Sequence, residues 1–340
     1  MEHLGFPTET VVIFVVTVAL SLFLDLFAHK RDTDVTLKSA CLWSVFWVVV
    51  SVAFGIYLYV HHGSEMASLF FTGYVLEKVL SVDNMFLIMA VFSWFSIPNE
   101  YRHRVLYWGV LGAIVFRAVF VAIGTGLLSF GPYVEVLFAA MVAYTGFMML
   151  KKGEQKDEIE DYSSHIAFRG VKRIFPMWPR LHGHDFFLTR KHAEEEAARL
   201  GLSVEGMGRR AAFVATPLFL CLAVIEVSDV MFAFDSVPAV IAVSREPLII
   251  YSAMIFAILG LRSLYFVLEA MSRYLVHLEK AVIVLLFFIA AKLLLSALKH
   301  AFDFGFELSP HVSLVVVLAV LAVGIIASIV DAPKGGKRGA

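Results

Sequence analysis

Ala223-Val-Ile-Glu-Val-Ser-Asp-Val-Met-Phe-Ala-Phe-Asp-Ser-Val-Pro-Ala239 sets three carboxylates, Glu226, Asp229 and Asp235, near the middle of an apolar run from about residue 211 to 243. About 20 helical residues suffice to cross a hydrocarbon core, and an ionised side chain at its centre costs at least ~2.5–3.5 kcal/mol. Acids at that depth need partners or ligands. Pro238 disfavours helix at Val237, and Asp235 or Ser236 has the chemistry to cap a new half-helix, so the stretch reads as a break and restart. A broken membrane helix with carboxylates at its break points to a cation site.

The 340-residue chain is 60% hydrophobic and only 17% charged, with a mean hydropathy of +0.81. These values exclude a large soluble domain and imply an all-α, polytopic transmembrane helix bundle. Apolar runs at about 10–28, 40–60, 66–95, 105–128, 133–150, 211–243, 247–268, 280–298 and 311–330 make nine candidate spans. Met1 to Thr10 lacks a basic n-region and a small-residue cleavage site, so the first run is expected to remain a span. Cys41 and Cys221 form no CxxC pattern and read as small packing residues.

Lys and Arg between the spans are distributed unevenly. One face of the nine-span arrangement, which includes the 151–210 connection, carries 22 of them, whereas the other holds Arg245 and Lys299. The bias predicts an external N-terminus and a cytoplasmic C-terminus. Trp43, Trp47, Trp94 and Trp108 fall near the predicted cytoplasmic ends, as an interfacial belt requires. Lys78, Arg117, Arg262 and Lys292 remain inside spans as charge-compensating bases, alongside the acids Glu77, Asp83, Glu226, Asp229 and Asp235. Asp25 and Glu135 lie nearer span ends, within reach of water.

Residues 66–150 and 211–298 read as two copies of one three-span unit. Glu77 precedes Asp83-Asn84 by six residues, and Asp229 precedes Asp235-Ser236 by six. The next span of each half carries an arginine, in Phe116-Arg117-Ala-Val-Phe120 and Leu261-Arg262-Ser-Leu-Tyr-Phe266. An odd number of spans per unit inverts the second copy, and inverted repeats around a midplane site are a transporter architecture.

The remaining segments are a cytoplasmic connection over 151–210 and a Gly/Lys-rich tail from Asp331 to Ala340, which is expected to be disordered. Lys151-Lys-Gly-Glu-Gln-Lys-Asp-Glu-Ile-Glu-Asp161 reads as a solvated charge run, and His192-Ala-Glu-Glu-Glu-Ala-Ala-Arg-Leu200 as a short helix. His165, His182, His184 and His192 are irregularly spaced. They read as ordinary loop histidines, with a regulatory metal site as the alternative.

On a continuous helix Glu226 and Asp229 share a face, and Glu77 aligns with Asn84 two turns on. Asp83 and Asp235 point elsewhere, so all five acids converge only where helices unwind. Carboxylates joined by Asn and Ser oxygens form a hard-ligand set suited to Mg, Ca or Mn. Met85 and Met231 lie close by, and a thioether would favour a transition metal, although methionine is also an ordinary gap-filler. The competing reading is a self-neutralising ion-pair network, in which Arg117 or Arg262 covers an aspartate. Desolvation raises carboxylate pKa values, so alternating proton and cation occupancy, as in an exchanger, is a further possibility. Two intramembrane aspartates also suggest a protease dyad. No GxGD, HExxH, Ser/His/Asp order or Gly-rich phosphate loop accompanies them, and the chain is not expected to be an enzyme.

Gly73-Tyr-Val-Leu-Glu-Lys-Val-Leu-Ser-Val-Asp-Asn84 and Ile225-Glu-Val-Ser-Asp-Val-Met-Phe-Ala-Phe-Asp-Ser-Val-Pro-Ala239 resemble the two signatures of the TerC integral-membrane family. Arg104-Val-Leu-Tyr-Trp-Gly109, Ala215-Thr-Pro217, Leu259-Gly-Leu-Arg-Ser-Leu-Tyr-Phe266 and His184-Asp-Phe-Phe-Leu188 agree, and the likeness covers roughly 10–330. Tyr101 departs from the pattern, where a more polar residue is expected. The resemblance implies an inner-membrane protein related to the LysE-type exporter superfamily, with relatives linked to manganese efflux and to metal supply for exported proteins. It also implies an association with tellurite resistance alongside soluble Ter proteins such as TerB. Glu77, Asp83, Asn84, Glu226, Asp229, Asp235 and Ser236 match the signature acids and their neighbours, and become the expected ligands of a divalent cation, Mn or Ca. A non-transporting scaffold or metal sensor, recruiting stress proteins through 151–210, is the alternative. Tellurite itself is an anion that a carboxylate-rich cavity repels.

Overall fold

The computed structural model describes residues 2–3, 6–28, 36–128, 130–152, 162–202, 211–271, 277–302 and 308–331. Most of the charge run and nearly all of the tail lie outside these residues. The chain opens with a short antiparallel pair, β1 (Glu2–His3) and β2 (Phe6–Pro7), then α1 (Thr8–Ala28), α2 (Leu37–Trp94), α3 (Asn99–Leu128) and α4 (Pro132–Lys152). After α4 come a 3₁₀ turn (Tyr162–Ser164), α5 (Ile166–Ile174), β3 (Phe187–Thr189), α6 (Arg190–Leu200) and β4 (Phe213–Ala215). The connection therefore runs past the expected boundary at 210, and the helix of the 211–243 run starts only at Pro217. The second half follows as α7 (Pro217–Val243), α8 (Pro247–Ile258), α9 (Leu261–Met271), α10 (Leu278–Phe302) and α11 (Pro310–Val330).

Seven of these helices are long and apolar enough to cross a membrane, or eight if the bent pair α8–α9 forms one span. Their outward faces stay apolar: Val15, Leu20 and Phe23 on α1 and Val315, Val323 and Ile329 on α11 are all exposed. A helix that is apolar all round belongs against lipid, so the bundle is that of a multi-pass integral membrane protein.

The 58 residues of α2 would extend about 87 Å if straight. They do not, because Gly63 adopts φ 87° and ψ 173°, a region that only glycine occupies readily. Residues 54 and 70 would lie about 24 Å apart on one helix, yet the Phe54 and Phe70 rings are 5.3 Å apart. A side chain at Gly55 would likewise run into Phe71. The helix therefore folds back on itself, and its arms, 37–62 and 64–94, carry the apolar runs 40–60 and 66–95.

The break expected at Asp235–Pro238 is absent: α7 runs through Pro238 from Pro217 to Val243. Proline removes one backbone donor, but unwinding would strip several more groups of partners where no water can replace them. Thr216 caps the helix by accepting the Phe219 amide at 3.4 Å, and Pro217 occupies the first turn, where its missing N–H costs nothing. The 64–94 arm is likewise continuous through Glu77, Asp83 and Asn84. The interruption falls instead in the run 247–268, read from the sequence as uninterrupted. There α8 and α9 meet at a 52° bend around Gly260, at φ 78°, and a side chain at this glycine would strike Trp47. Trp47 is 1% exposed, so it is a packing residue of this bend and not part of an interfacial belt.

The long arms pack in a definite order. α2 lies on α8 and α9, α3 on α7, α4 on α10, and α11 on α2 and α10. One core, including Phe92, Val224, Val240, Ile258 and Ile289, runs through the middle of the bundle; another, including Phe54, Leu58, Phe70, Ile249 and Phe256, joins the α2 hairpin to α8. Beside them the described part of the connection forms a small folded unit. β3 pairs antiparallel with β4, Leu188 opposite Val214, and Trp178, Leu188, Ala193, Ala197 and Val214 form its core. The expected helix at 192–200 is α6.

Candidate functional site

Arg117 of α3 stands at the meeting point of three helices, 2% exposed. Its guanidinium pairs with Glu77 of α2 through Nη1 and with Asp229 of α7 through Nη2, 3.2 Å from Oδ1. Glu77 is completely buried. Asn84, two turns along the same arm, faces Asp229 and Arg117. In the amide orientation that satisfies both of its ends, its oxygen accepts from Arg117 Nη2 at 3.3 Å and its nitrogen donates to the Leu80 carbonyl at 3.3 Å.

Glu226 sits one turn before Asp229 on α7, and its carboxylate fills the space left by Gly112 of α3, where any side chain would collide with it. Glu226 Oε2, Asp229 Oδ2 and Ser236 Oγ are buried without a hydrogen-bond partner among the described residues. A cavity of about 30 Å³ opens beside Asn84, Ser228, Asp229 and Arg262, roughly the space of one water molecule or small ion. Asp83 and Asp235 lie on α2 and α7, but their side chains fall outside the described residues.

The four bases read as compensating these acids are employed differently. Among the described residues, only Arg117 pairs with them. Lys78 donates to the Ala257 and Leu259 carbonyls at 3.0 and 3.2 Å, satisfying the C-terminal end of α8 where the span bends. Arg262 lines the cavity, yet its Nη2 is held by the Asp25 carboxylate and carbonyl, both at 2.9 Å. Lys292 lines a separate, more open cavity of about 340 Å³ with Glu65, Glu135, Arg245 and Glu246. Asp25 and Glu135, read as lying near span ends within reach of water, are both paired, Asp25 with Arg262 and Glu135 with the half-exposed Arg245 at 2.5 Å.

Glu77 and Asp229 thus share one guanidinium, and Glu226, the third carboxylate of the cluster, lies one turn from Asp229 with no basic partner among the described residues. If all were ionised the cluster would carry two uncompensated negative charges, which burial makes expensive. Protons or a bound cation relieve that cost, and the unpaired oxygens of Glu226 and Asp229 are available to either. Sequence reasoning found these residues but missed Gly112, the Asp25–Arg262 pair and the carbonyls that hold Lys78. A glycine inside an apolar span, as at Gly112 and Gly260, was the available signal.

The fold and the buried acids define a polytopic helical membrane protein with a charged interior. The chain belongs to the TerC family: residues 62–334 match the model of the Integral membrane protein TerC family. It is 64% identical to the tellurium resistance protein TerC of Serratia marcescens over 99% of both chains. The Alcaligenes sp protein of the same name is also 64% identical, over 98% of this chain and 96% of the relative. More distant relatives include the Arabidopsis thaliana thylakoid membrane protein TERC, 37% identical over 84% of this chain and 67% of that one. The putative membrane-bound redox modulator Alx of Photorhabdus laumondii is 35% identical over 91% and 92%. No solved structure matches the chain.

Proposed function

We propose that this protein binds and exports a divalent cation, Mn²⁺ or Ca²⁺, at the carboxylate cluster between α2, α3 and α7. The observation that carries the reading is the excess of acids among the described residues: Glu77 and Asp229 share Arg117, Glu226 one turn from Asp229 has no basic partner, and Lys78 and Arg262 are held by other groups. Oxygen ligands of this kind suit hard divalent ions. Asp83, Asn84, Asp235 and Ser236 complete the ligand set in this reading.

An inverted-repeat, nine-crossing architecture is supported by the packing. α2 rests on α8–α9 as α7 rests on α3, and α4 meets its counterpart α10; exchanging the halves leaves these pairings unchanged. Ion pairs sit near both ends of α3, Arg102 with Glu269 at its start and Arg245 with Glu135 just beyond its end. They are suited to act as gates on either side of a central site. In this reading the protein resides in the bacterial inner membrane with its N-terminus outside, its C-terminus and α4–α7 connection in the cytoplasm, and no enzymatic activity.

The names of the relatives extend the proposal to tellurite resistance. Carboxylates disfavour direct passage of an oxyanion, so resistance arises through divalent-metal balance or a membrane-anchored stress complex. The folded connection, with α5 packed on α7, favours a second reading: a scaffold or metal sensor recruiting soluble proteins such as TerB. Uptake of Mn²⁺ and Ca²⁺ into everted vesicles separates the two readings. Asp229→Asn, Asp83→Asn and Asp235→Asn at matched expression should each abolish uptake. Wild-type uptake no greater than that of empty vesicles would sink the transporter reading.

A further inference from the structure

Two of the four histidines of the α4–α7 connection converge on one carboxylate. His182 Nε2 lies 3.0 Å and His192 Nε2 3.5 Å from the same atom, Glu196 Oε2, and all three candidate ligand atoms fall within 4.8 Å of one another. Metal bonds of about 2.0–2.1 Å at tetrahedral angles place neighbouring ligand atoms about 3.3 Å apart, so two of the three separations already suit a shared ion. The other histidines are used elsewhere: His165 caps α5, and the His184 ring stacks edge-on against Tyr101, 4.8 Å away.

We propose that His182, His192 and Glu196 form a binding site for a borderline divalent transition ion of the Zn²⁺ type, separate from the carboxylates in the bundle. Two imidazoles and one carboxylate favour such an ion over Ca²⁺ or Mg²⁺. The surrounding contacts match this use. His182 turns Nδ1 toward Asp185 Oδ2 at 3.3 Å, the outer carboxylate that orients a ligating imidazole and leaves Nε2 for metal. Glu196 turns its other oxygen, Oε1, toward Arg199 at 3.6 Å, which leaves Oε2 to the histidines.

The ligands also stand on a braced support. His192 and Glu196 are one turn apart on α6, whose inner residues Ala193 and Ala197 pack against Trp178, Leu188 and Val214. The turn carrying His182 and Asp185 is closed by the Asp185 amide donating to the His182 carbonyl at 3.1 Å. Thr216, the capping residue of α7, donates to the Asp185 carbonyl at 2.7 Å. An ion here would therefore tie α6 to the loop that holds the start of the helix bearing Glu226 and Asp229. The site does not depend on whether the bundle transports cations.

The test is Co²⁺ titration of the full-length, detergent-solubilised protein, stripped of metal and carrying no polyhistidine tag. Wild type should bind one Co²⁺ per chain with the intense visible absorption of a tetrahedral centre, which Zn²⁺ displaces. His192→Ala and Glu196→Gln, both on a preformed helix, should each abolish that absorption, and Asp185→Asn should weaken binding about 10–100-fold. Glu226→Gln with Asp229→Asn should leave it unchanged, which separates this site from the membrane cluster. No tetrahedral absorption in wild type, or absorption that survives both His192→Ala and Glu196→Gln, overturns the proposal and leaves His182 and His192 as ion-pair partners of Glu196.

Discussion

Arg117 and Arg262 occupy similar settings in the two halves, each on the span after a motif helix, yet they serve different acids. Arg117 is shared by Glu77 of the first half and Asp229 of the second. Arg262 is drawn to Asp25 of α1, outside either repeat. The lesson is electrostatic: sequence charge counts nearly balance, but the second arginine is spent on a peripheral helix. Among the described residues, the central cluster holds more acids than bases because a helix outside the repeat takes Arg262 as a partner.

The largest effect should come from breaking the shared pair. Arg117→Met leaves Glu77 fully buried beside uncompensated Asp229, a loss of about 3–5 kcal/mol. Unfolding of the detergent-solubilised protein by denaturant measures it; a change below about 1 kcal/mol would mean that the acids are protonated without the arginine. Arg262→Met should cost less, about 1.5–3 kcal/mol, because Asp25 retains partial exposure. Adding Asp25→Asn to that variant should recover much of the loss, and the double variant should still take up cations. Uptake abolished in that double variant would show that Arg262 belongs to the central site after all.

The smallest stability change, with the sharpest functional one, is expected at Gly112. Gly112→Ala pushes a methyl group into the Glu226 carboxylate, at a cost of about 1–3 kcal/mol and with loss of vesicle uptake. Gly126→Ala, on the same helix, meets nothing within 4 Å and serves as the control. Equal uptake by the two variants would remove Glu226 from the site.

Much of this organisation was legible along the chain because crossing a membrane is a local requirement. Twenty apolar residues announce a span wherever it packs, and Glu77, Asp229 and Arg117 stood out because charge inside such a run is costly. The helix breaks were misread for a related reason. Pro238 signals a break by its own chemistry, but in an apolar setting continuing the helix exposes fewer backbone groups than unwinding it. Gly260 signals little by itself, and bends the chain because Trp47 packs where a side chain would stand and Lys78 donates to the freed carbonyls.

His182 and Glu196 teach the same distinction. The one-turn spacing of His192 and Glu196 follows from helix geometry alone. Nothing local places His182 beside them; the β3–β4 pairing and the core around Trp178 do so. The sequence by itself determined the membrane class, the apolar spans and the identity of the buried charges, since each depends on residue type and short-range period. Only the tertiary structure decided that Arg117 joins acids 40 residues before it and 112 after it, and that Arg262 goes to Asp25. Pairing between charges depends on through-space distance and on which competing partner lies nearer, and helix packing sets both.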